Sequence, residues 1–138
     1  MMSSVAERFD KLTRALLDLE ELPDEYVVLV EGLKDRSALG ILGVQREIRT
    51  VQGAGGIFQV AETLSREGRK AIILTDWDRT GGQISRLLRE ALEANQVEYD
   101  DKIRATLSRI CRKDIKDIES LPAFYSRLAT EVVRRREQ

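Results

Sequence analysis

Three carboxylates directly follow apolar runs that have the composition of buried strands. Glu31 comes after the run 26–30, and Asp76 and Asp78 come after the run 70–75. Continuous β-branched and aliphatic residues are typical of strands that are buried on both faces of a parallel sheet. Because ligands of such sheets bind beyond the carboxyl ends of the strands, we expect the three side chains to share one edge.

Carboxylates that lie close together repel one another unless a cation compensates their charge. Ligand sets made only of oxygen favour Mg²⁺, or Mn²⁺, over zinc. The spacing of Asp76 and Asp78 suits a shared ligand, since alternate residues of an extended segment point the same way. Each motif alone also occurs as a turn or a helix cap, so it is their combination at two strand ends that predicts a metal site.

The composition excludes several other chemistries. The chain has no histidine, which rules out Ser-His-Asp triads, Cys-His pairs and histidine-ligated zinc. The single cysteine, Cys111, cannot form a disulfide within the chain, and we interpret it as a packing residue. No apolar run approaches the ~20 residues of a membrane span, and residues 1–12 lack the apolar core of a signal peptide. We therefore expect a cytoplasmic protein without a membrane segment.

The net charge is −1, but basic residues concentrate towards the C-terminus. Residues 102–138 contain ten Lys or Arg and five Asp or Glu, whereas residues 1–101 contain thirteen and nineteen. A basic segment beside an acidic body can guide a polyanion to a site. A solvated helix with a basic end explains the same distribution equally well.

The hydrophobic pattern predicts one α/β domain over residues 1–138. Apolar stripes at helical spacing indicate a leading helix over 4–21, a helix after each of the next three strands, and a basic helix over about 120–136. The predicted strands are 26–30, 47–51, 70–75 and 103–107. This alternation favours a mainly parallel four-stranded sheet with helices on both faces.

Two stretches resemble the paired motifs of the Toprim family. Residues 27–35, a strand ending in Glu31-Gly32, are similar to the first motif. Residues 72–82, a strand followed by Asp-Trp-Asp and a glycine pair, are similar to the second, and a glycine-containing turn over 53–56 lies between them. The resemblance covers about residues 25–110. The Lys34-Asp35 pair most resembles small stand-alone Toprim proteins such as the ribosomal-RNA maturation ribonucleases. Primases and topoisomerases carry the same domain in longer chains.

The resemblance implies a Mg²⁺-binding domain that acts on nucleic-acid phosphodiesters, RNA more than DNA, by cleavage or by phosphoryl or nucleotidyl transfer. Glu31 would be a general acid or base and a metal ligand, and Asp76 and Asp78 would hold Mg²⁺ or Mn²⁺. Lys34, and more weakly Arg79, would neutralise a phosphate, with an ordinary solvated cation as the alternative. Three glycines would shape the backbone around the ligand: Gly32, Gly55 and Gly81.

Other functions stay open at this point. We expect none of the accessory domains of topoisomerases and primases, so a non-catalytic module that uses the metal site to bind nucleic acid or a protein partner is an alternative. A homo-oligomer is also left open. Asp76 to Thr80 also matches the D-x-D-x-T motif of haloacid-dehalogenase-type phosphatases, with Asp76 as nucleophile. That family needs ~100 further residues after the motif, whereas residues 81–138 follow here. The charged segment 113–119 either reaches the site or forms the charged start of the last helix.

Overall fold

A computed structural model of the chain describes residues 4–137. Helices and strands alternate along most of this length. In chain order the elements are α1 (Val5–Glu21), β1 (Tyr26–Val30), α2 (Leu33–Ile41), β2 (Ile48–Thr50), α3 (Ile57–Glu67), β3 (Lys70–Ile73), α4 (Arg79–Ala94), β4 (Tyr99–Asp100), α5 (Lys102–Cys111) and α6 (Leu121–Arg136). None of the helices described over 4–137 is both long and apolar enough to cross a membrane.

The four strands form one parallel sheet in the order β2-β1-β3-β4. β1 and β3 are the central pair, with Leu29 opposite Ile73. From β1 the chain continues to β2 on one side, and from β3 it continues to β4 on the other. The direction of winding therefore reverses between β1 and β3, and the crevice at such a reversal is where open α/β sheets bind ligands.

Helices cover both faces of the sheet, and alternate strand residues point to opposite sides. One core layer packs Val28 and Ile72 against α1, α2, α5 and α6. The other packs Val27 and Ile73 against α3 and α4. The predicted α/β class, with a parallel four-stranded sheet between two helical layers, is confirmed.

Local sequence signals explain several element boundaries. The backbone N–H of Glu7 donates to the Ser4 hydroxyl at 3.1 Å, so Ser4 caps the start of α1. α3 ends at Gly68, whose φ of 66° is the left-handed conformation common at helix ends. α6 begins at Leu121 with a proline in its first turn, where the missing N–H costs nothing.

The prediction of a fourth strand over 103–107 is wrong. These residues belong to α5, and the fourth strand is the two-residue β4 that precedes it. Ile103, Leu107 and Cys111 recur every four residues and are all buried, which is the apolar stripe of a helix. The backbone N–H of Ile103 also donates to the Asp100 carboxylate at 3.1 Å, which satisfies one amide at the start of the helix.

Cys111 lies in the core with no exposed surface. Burial raises the pKa of its thiol to about 12. A thiol with this pKa is protonated at neutral pH and is a poor nucleophile, so Cys111 is the packing residue that the sequence predicted.

Candidate functional site

Glu31 and Asp76 meet at the carboxyl edge of the two central strands. Glu31 follows the last residue of β1, and Asp76 lies in the loop after β3. The backbone N–H of Asp76 donates to Glu31 Oε2 at 2.8 Å, although 45 residues separate them. The structure therefore brings together the ends of the two strands that carry the acidic motifs.

Asp78 serves as the N-cap of α4. Its Oδ1 accepts a hydrogen bond from the backbone N–H of Gly81 at 2.7 Å, and aspartate is among the preferred residues at this position. Oδ2 of Asp78 accepts no hydrogen bond from the residues the structure describes. The same holds for Glu31 Oε1 and Asp76 Oδ2. Each of the three carboxylates thus combines one oxygen fixed by a backbone amide with one that is free for a ligand.

The segment between α5 and α6 packs directly against the Asp-Trp-Asp loop. The backbone N–H of Ile118 donates to Asp76 Oδ1 at 2.9 Å. Trp77 donates its backbone N–H to the carbonyl of Lys116 at 3.0 Å and its indole N–H to that of Ile115 at 2.8 Å. The charged segment 113–119 therefore reaches the site through its backbone, which the sequence left open.

The electrostatics of the site disfavour negative charge on Asp76. Burial is the largest cause that raises the pKa of its carboxyl, and the negative charges of Glu31, Asp35 and Asp78 raise it further. The hydrogen bond from Ile118 acts in the opposite direction, and the pKa lies at about 7. A cation beside Asp76 would reverse this balance.

Asp35 is a fourth acidic residue of the site, and it was not among the site residues predicted from the sequence. The residue is 8% exposed, and its carboxylate accepts a hydrogen bond from the backbone N–H of Gly32 at 3.1 Å. Burial raises the pKa of the Asp35 carboxyl, and the charges of Glu31, Glu119 and Asp117 add to this effect, whereas the Gly32 hydrogen bond lowers it. Two signals were available: Asp35 is the last residue of the Toprim-like stretch 27–35, and it lies three residues after Gly32, at capping-box spacing.

Arg104 of α5 also contributes to the site and carried no recognisable sequence signal. Its guanidinium donates from Nε to the carbonyl of Thr75 at 3.0 Å and from Nη2 to the carbonyl of Asp76 at 2.7 Å. Because 103–107 was predicted as a strand, Arg104 was not recognised as a site residue. Only the helix α5 directs it towards the loop after β3. Arg104 therefore fixes the backbone of the loop that carries Asp76 and Asp78.

The three glycines selected from the sequence differ in what the backbone requires. At Gly81 a Cβ atom would overlap the carbonyl group of Asp76, so the first turn of α4 can approach the loop only without a side chain. Gly55 has a φ of 88°, which favours glycine. Gly32 is extended, and a Cβ there would lie 3.4 Å from Gln52 Oε1, so its backbone role is limited to the hydrogen bond with Asp35.

The two predicted cations are exposed and lie close in sequence to the acidic motifs. Lys34 is exposed in the first turn of α2, and Arg79 is exposed as the first residue of α4. Neither forms an ion pair with any residue in the range 4–137. Both are available to an anionic ligand, and their role in binding phosphate stays a prediction.

The donor chemistry fits Mg²⁺, although the side chains do not form a closed cage. Across residues 4–137, no group of three or more Asp, Glu, His or Cys side chains is arranged to hold a metal ion. Mg²⁺ commonly binds one or two carboxylates and completes its octahedron with water and phosphate oxygens. Glu31, Asp76 and Asp78 offer oxygen ligands of this kind, and the predicted three-ligand set stays a prediction.

The chain is similar to archaeal proteins over most of its length. It is 36% identical to a UPF0292 protein of Thermococcus sibiricus over 122 residues, which cover 88% of this chain and 94% of that protein. The chain belongs to the UPF0292 family. The family member from Archaeoglobus fulgidus is 35% identical over 124 residues, covering 89% of this chain and 96% of the relative.

The UPF0292 name describes no activity, and no protein-family model matches the chain. Among solved structures, a protein from Aquifex aeolicus superposes with a TM-score of 0.59 and 25% sequence identity. The match covers 86% of this chain and 99% of that chain. This similarity supports the fold described above.

Proposed function

We propose that this UPF0292 protein is a Toprim-type enzyme that uses Mg²⁺ to act on nucleic-acid phosphodiesters. The observation that carries the proposal is the hydrogen bond between Glu31 and Asp76 at the reversal of the strand order. It joins the Glu-Gly end of β1 to the Asp-Trp-Asp loop of β3, which is the arrangement expected if these stretches are the two Toprim motifs. Nothing in the linear sequence requires β1 and β3 to be neighbours.

The charge distribution supports a divalent cation at this position. Four carboxylates lie close enough for Glu31, Asp35 and Asp78 to raise the pKa of Asp76. Oxygens of Asp76 and Asp78 that accept no backbone hydrogen bond would hold Mg²⁺. When bound, Mg²⁺ would polarise a phosphate and stabilise negative charge on its oxygens.

Residues of the chain would supply proton transfer and substrate binding. Glu31 keeps one carboxylate oxygen free while the other is held by Asp76, so it can exchange a proton with an attacking or leaving oxygen. Lys34, three residues after Glu31, and Arg79, directly after Asp78, are exposed cations and would neutralise phosphates. The resemblance to ribosomal-RNA maturation ribonucleases favours RNA over DNA as substrate, and a cytoplasmic location belongs to the same proposal.

Cleavage of structured RNA and of nicked DNA with and without Mg²⁺ tests the proposal. We expect Mg²⁺-dependent cleavage that falls at least 100-fold in Glu31→Gln and in Asp76→Asn, a loss typical of removing a general acid or base. Both substitutions keep a side-chain acceptor for the hydrogen bonds from Asp76 and Ile118. Glu62→Gln, on the exposed surface of α3, is the matched control and should cleave like the wild type.

Two results would assign a different function. Mg²⁺ and nucleic-acid binding without turnover would make the protein a non-catalytic binding module. A covalent phosphate on Asp76, formed from small phosphate esters, would identify a haloacid-dehalogenase-type phosphatase and contradict the Toprim assignment.

A further inference from the structure

Arg104, which contacts the Asp-Trp-Asp loop, lies close to Arg89 of α4. Arg104 reaches across from α5, and its Nη2 lies 4.0 Å from the place where a Cβ of Gly82 would be. Arg89 of α4 turns back along its helix, and its Nη1 donates to Ser85 Oγ at 2.9 Å. Because Gly82, Ser85 and Arg89 recur at spacings of three and four, they lie on one face of α4, and this face meets Arg104.

Neither guanidinium pairs with a carboxylate within residues 4–137. Among the described residues, no Asp or Glu oxygen lies within 4.0 Å of a nitrogen of Arg89 or Arg104. Both side chains are half-buried. Like charges at partly buried positions repel more strongly than on the open surface, which makes this arrangement costly without an anion.

Arg89 lies close enough to Arg104 for their positive charges to repel each other. The negative charges of Glu31, Asp76 and Asp101 act on Arg104 from beyond ion-pairing distance. A bound anion would compensate both guanidinium groups at close range.

We propose that Arg89 and Arg104 form a phosphate-binding subsite, which holds a phosphate of the nucleic-acid chain adjacent to the one at the Asp-Trp-Asp loop. A guanidinium has five N–H donors; Arg104 uses two nitrogens on the loop backbone and Arg89 uses one on Ser85. The remaining donors match phosphate oxygens. The subsite rests on the proposed function, because that function makes its ligand a nucleic acid.

Binding of a short, fluorescently labelled single-stranded RNA in EDTA, where Mg²⁺-dependent cleavage cannot occur, tests the subsite. We expect Arg89→Gln to weaken binding about tenfold and to reduce the slope of log affinity against log salt by about one. Arg86→Gln is the matched control, because Arg86 lies on the same helix, is exposed and pairs with Glu90. It should change the affinity less than about twofold.

Arg89→Lys and a second RNA make the result specific. Arg89→Lys keeps the charge but loses the fork of donors, so its affinity should fall between those of the wild type and Arg89→Gln. Dependence on Arg89 with an RNA that lacks terminal phosphates assigns an internal diester, and dependence seen only with a 5′-phosphorylated RNA assigns a terminal phosphate. Equal affinity of the wild type and Arg89→Gln for both RNAs overturns the subsite, as does an equal loss in Arg86→Gln.

The same variants separate this inference from the proposed function. If the wild type does not cleave but Arg89→Gln still weakens RNA binding, the subsite stands and the enzymatic proposal fails. If the wild type cleaves with Mg²⁺ and Arg89→Gln leaves both KM and RNA affinity unchanged, the enzymatic proposal stands and the subsite fails.

Discussion

Glu31 Oε2 accepts a hydrogen bond from the backbone N–H of Asp76 at 2.8 Å, and this is one of three contacts that fix Asp76. The carbonyl oxygen of Asp76 accepts a hydrogen bond from Arg104 at 2.7 Å, and Asp76 Oδ1 accepts one from the backbone N–H of Ile118 at 2.9 Å. The end of β1, helix α5 and the segment before α6 thus each hold a different group of one residue. Such support pre-organises the acidic loop for a ligand.

Asp76→Asn should stabilise the metal-free protein at neutral pH. In the folded wild type the pKa of the Asp76 carboxyl is about 7, compared with 3.8 for an unperturbed aspartate. The stability from its protonated form is therefore fully present below pH 3.8 and is lost as the pH rises towards 7. Asparagine is neutral throughout, so the free energy of unfolding of the variant should rise relative to that of the wild type over this interval. The difference should reach about 1 kcal/mol at pH 8 after solvent screening.

Thermal unfolding of both proteins in EDTA at pH 4, 6 and 8 measures this difference. Added Mg²⁺ should then raise the melting temperature of the wild type more than that of the variant, because a ligand stabilises the state that binds it. A difference between the two proteins that does not change with pH would contradict the raised pKa of Asp76.

Gly81→Ala should destabilise the protein by about 3 kcal/mol, because its Cβ would overlap the Asp76 carbonyl and force α4 away from the loop. Gly82→Ala is the matched control. A Cβ at Gly82 meets Arg104 Nη2 only at 4.0 Å, and alanine favours a helix over glycine by about 0.5–1 kcal/mol. Urea unfolding measures both free energies, and equal effects would contradict the close approach at Gly81.

Substitutions of Asp78 should separate its two roles. Asp78→Asn keeps a good helix cap but removes the charge, so stability should stay within about 0.5 kcal/mol of the wild type while Mg²⁺ binding weakens. Asp78→Ala loses the hydrogen bond to Gly81 as well and should lose about 1 kcal/mol. Fluorescence of Trp77, the single tryptophan of the chain and the residue between the two aspartates, reports Mg²⁺ binding. Unchanged Mg²⁺ affinity in Asp78→Asn would leave Asp78 with the capping role alone.

Lys34→Met should weaken RNA binding a few-fold and lower the salt slope by about one, without changing stability, because Lys34 is exposed and makes no ion pair with the described residues. Arg66→Met is the control, since Arg66 is an exposed cation in the last turn of α3. Similar losses in both variants would show that total charge, rather than the position of Lys34, determines the affinity.

The chemistry of the site follows largely from local sequence. Apolar runs that end at Glu31 and before Asp76 predict two buried strands, and strand polarity alone puts their carboxyl ends on one edge. Ser4, Gly68 and the proline of α6 mark helix ends through interactions with their own neighbours in the chain. These features depend on residues a few positions apart, which is why the sequence determines them.

The assembly of the site depends on tertiary structure. Strand order is set by the packing of whole helical layers, so only the fold decides that β1 lies beside β3 and that Glu31 reaches Asp76. The short stretch 103–107 is apolar enough for a strand or a helix. The apolar residues that recur every four positions are buried against the core, and this packing favours the helix that carries Arg104. The sequence by itself determined which carboxylates stand at the two strand ends, where we propose that a cation binds. Long-range packing, which no local pattern encodes, decided which residues hold those groups in place.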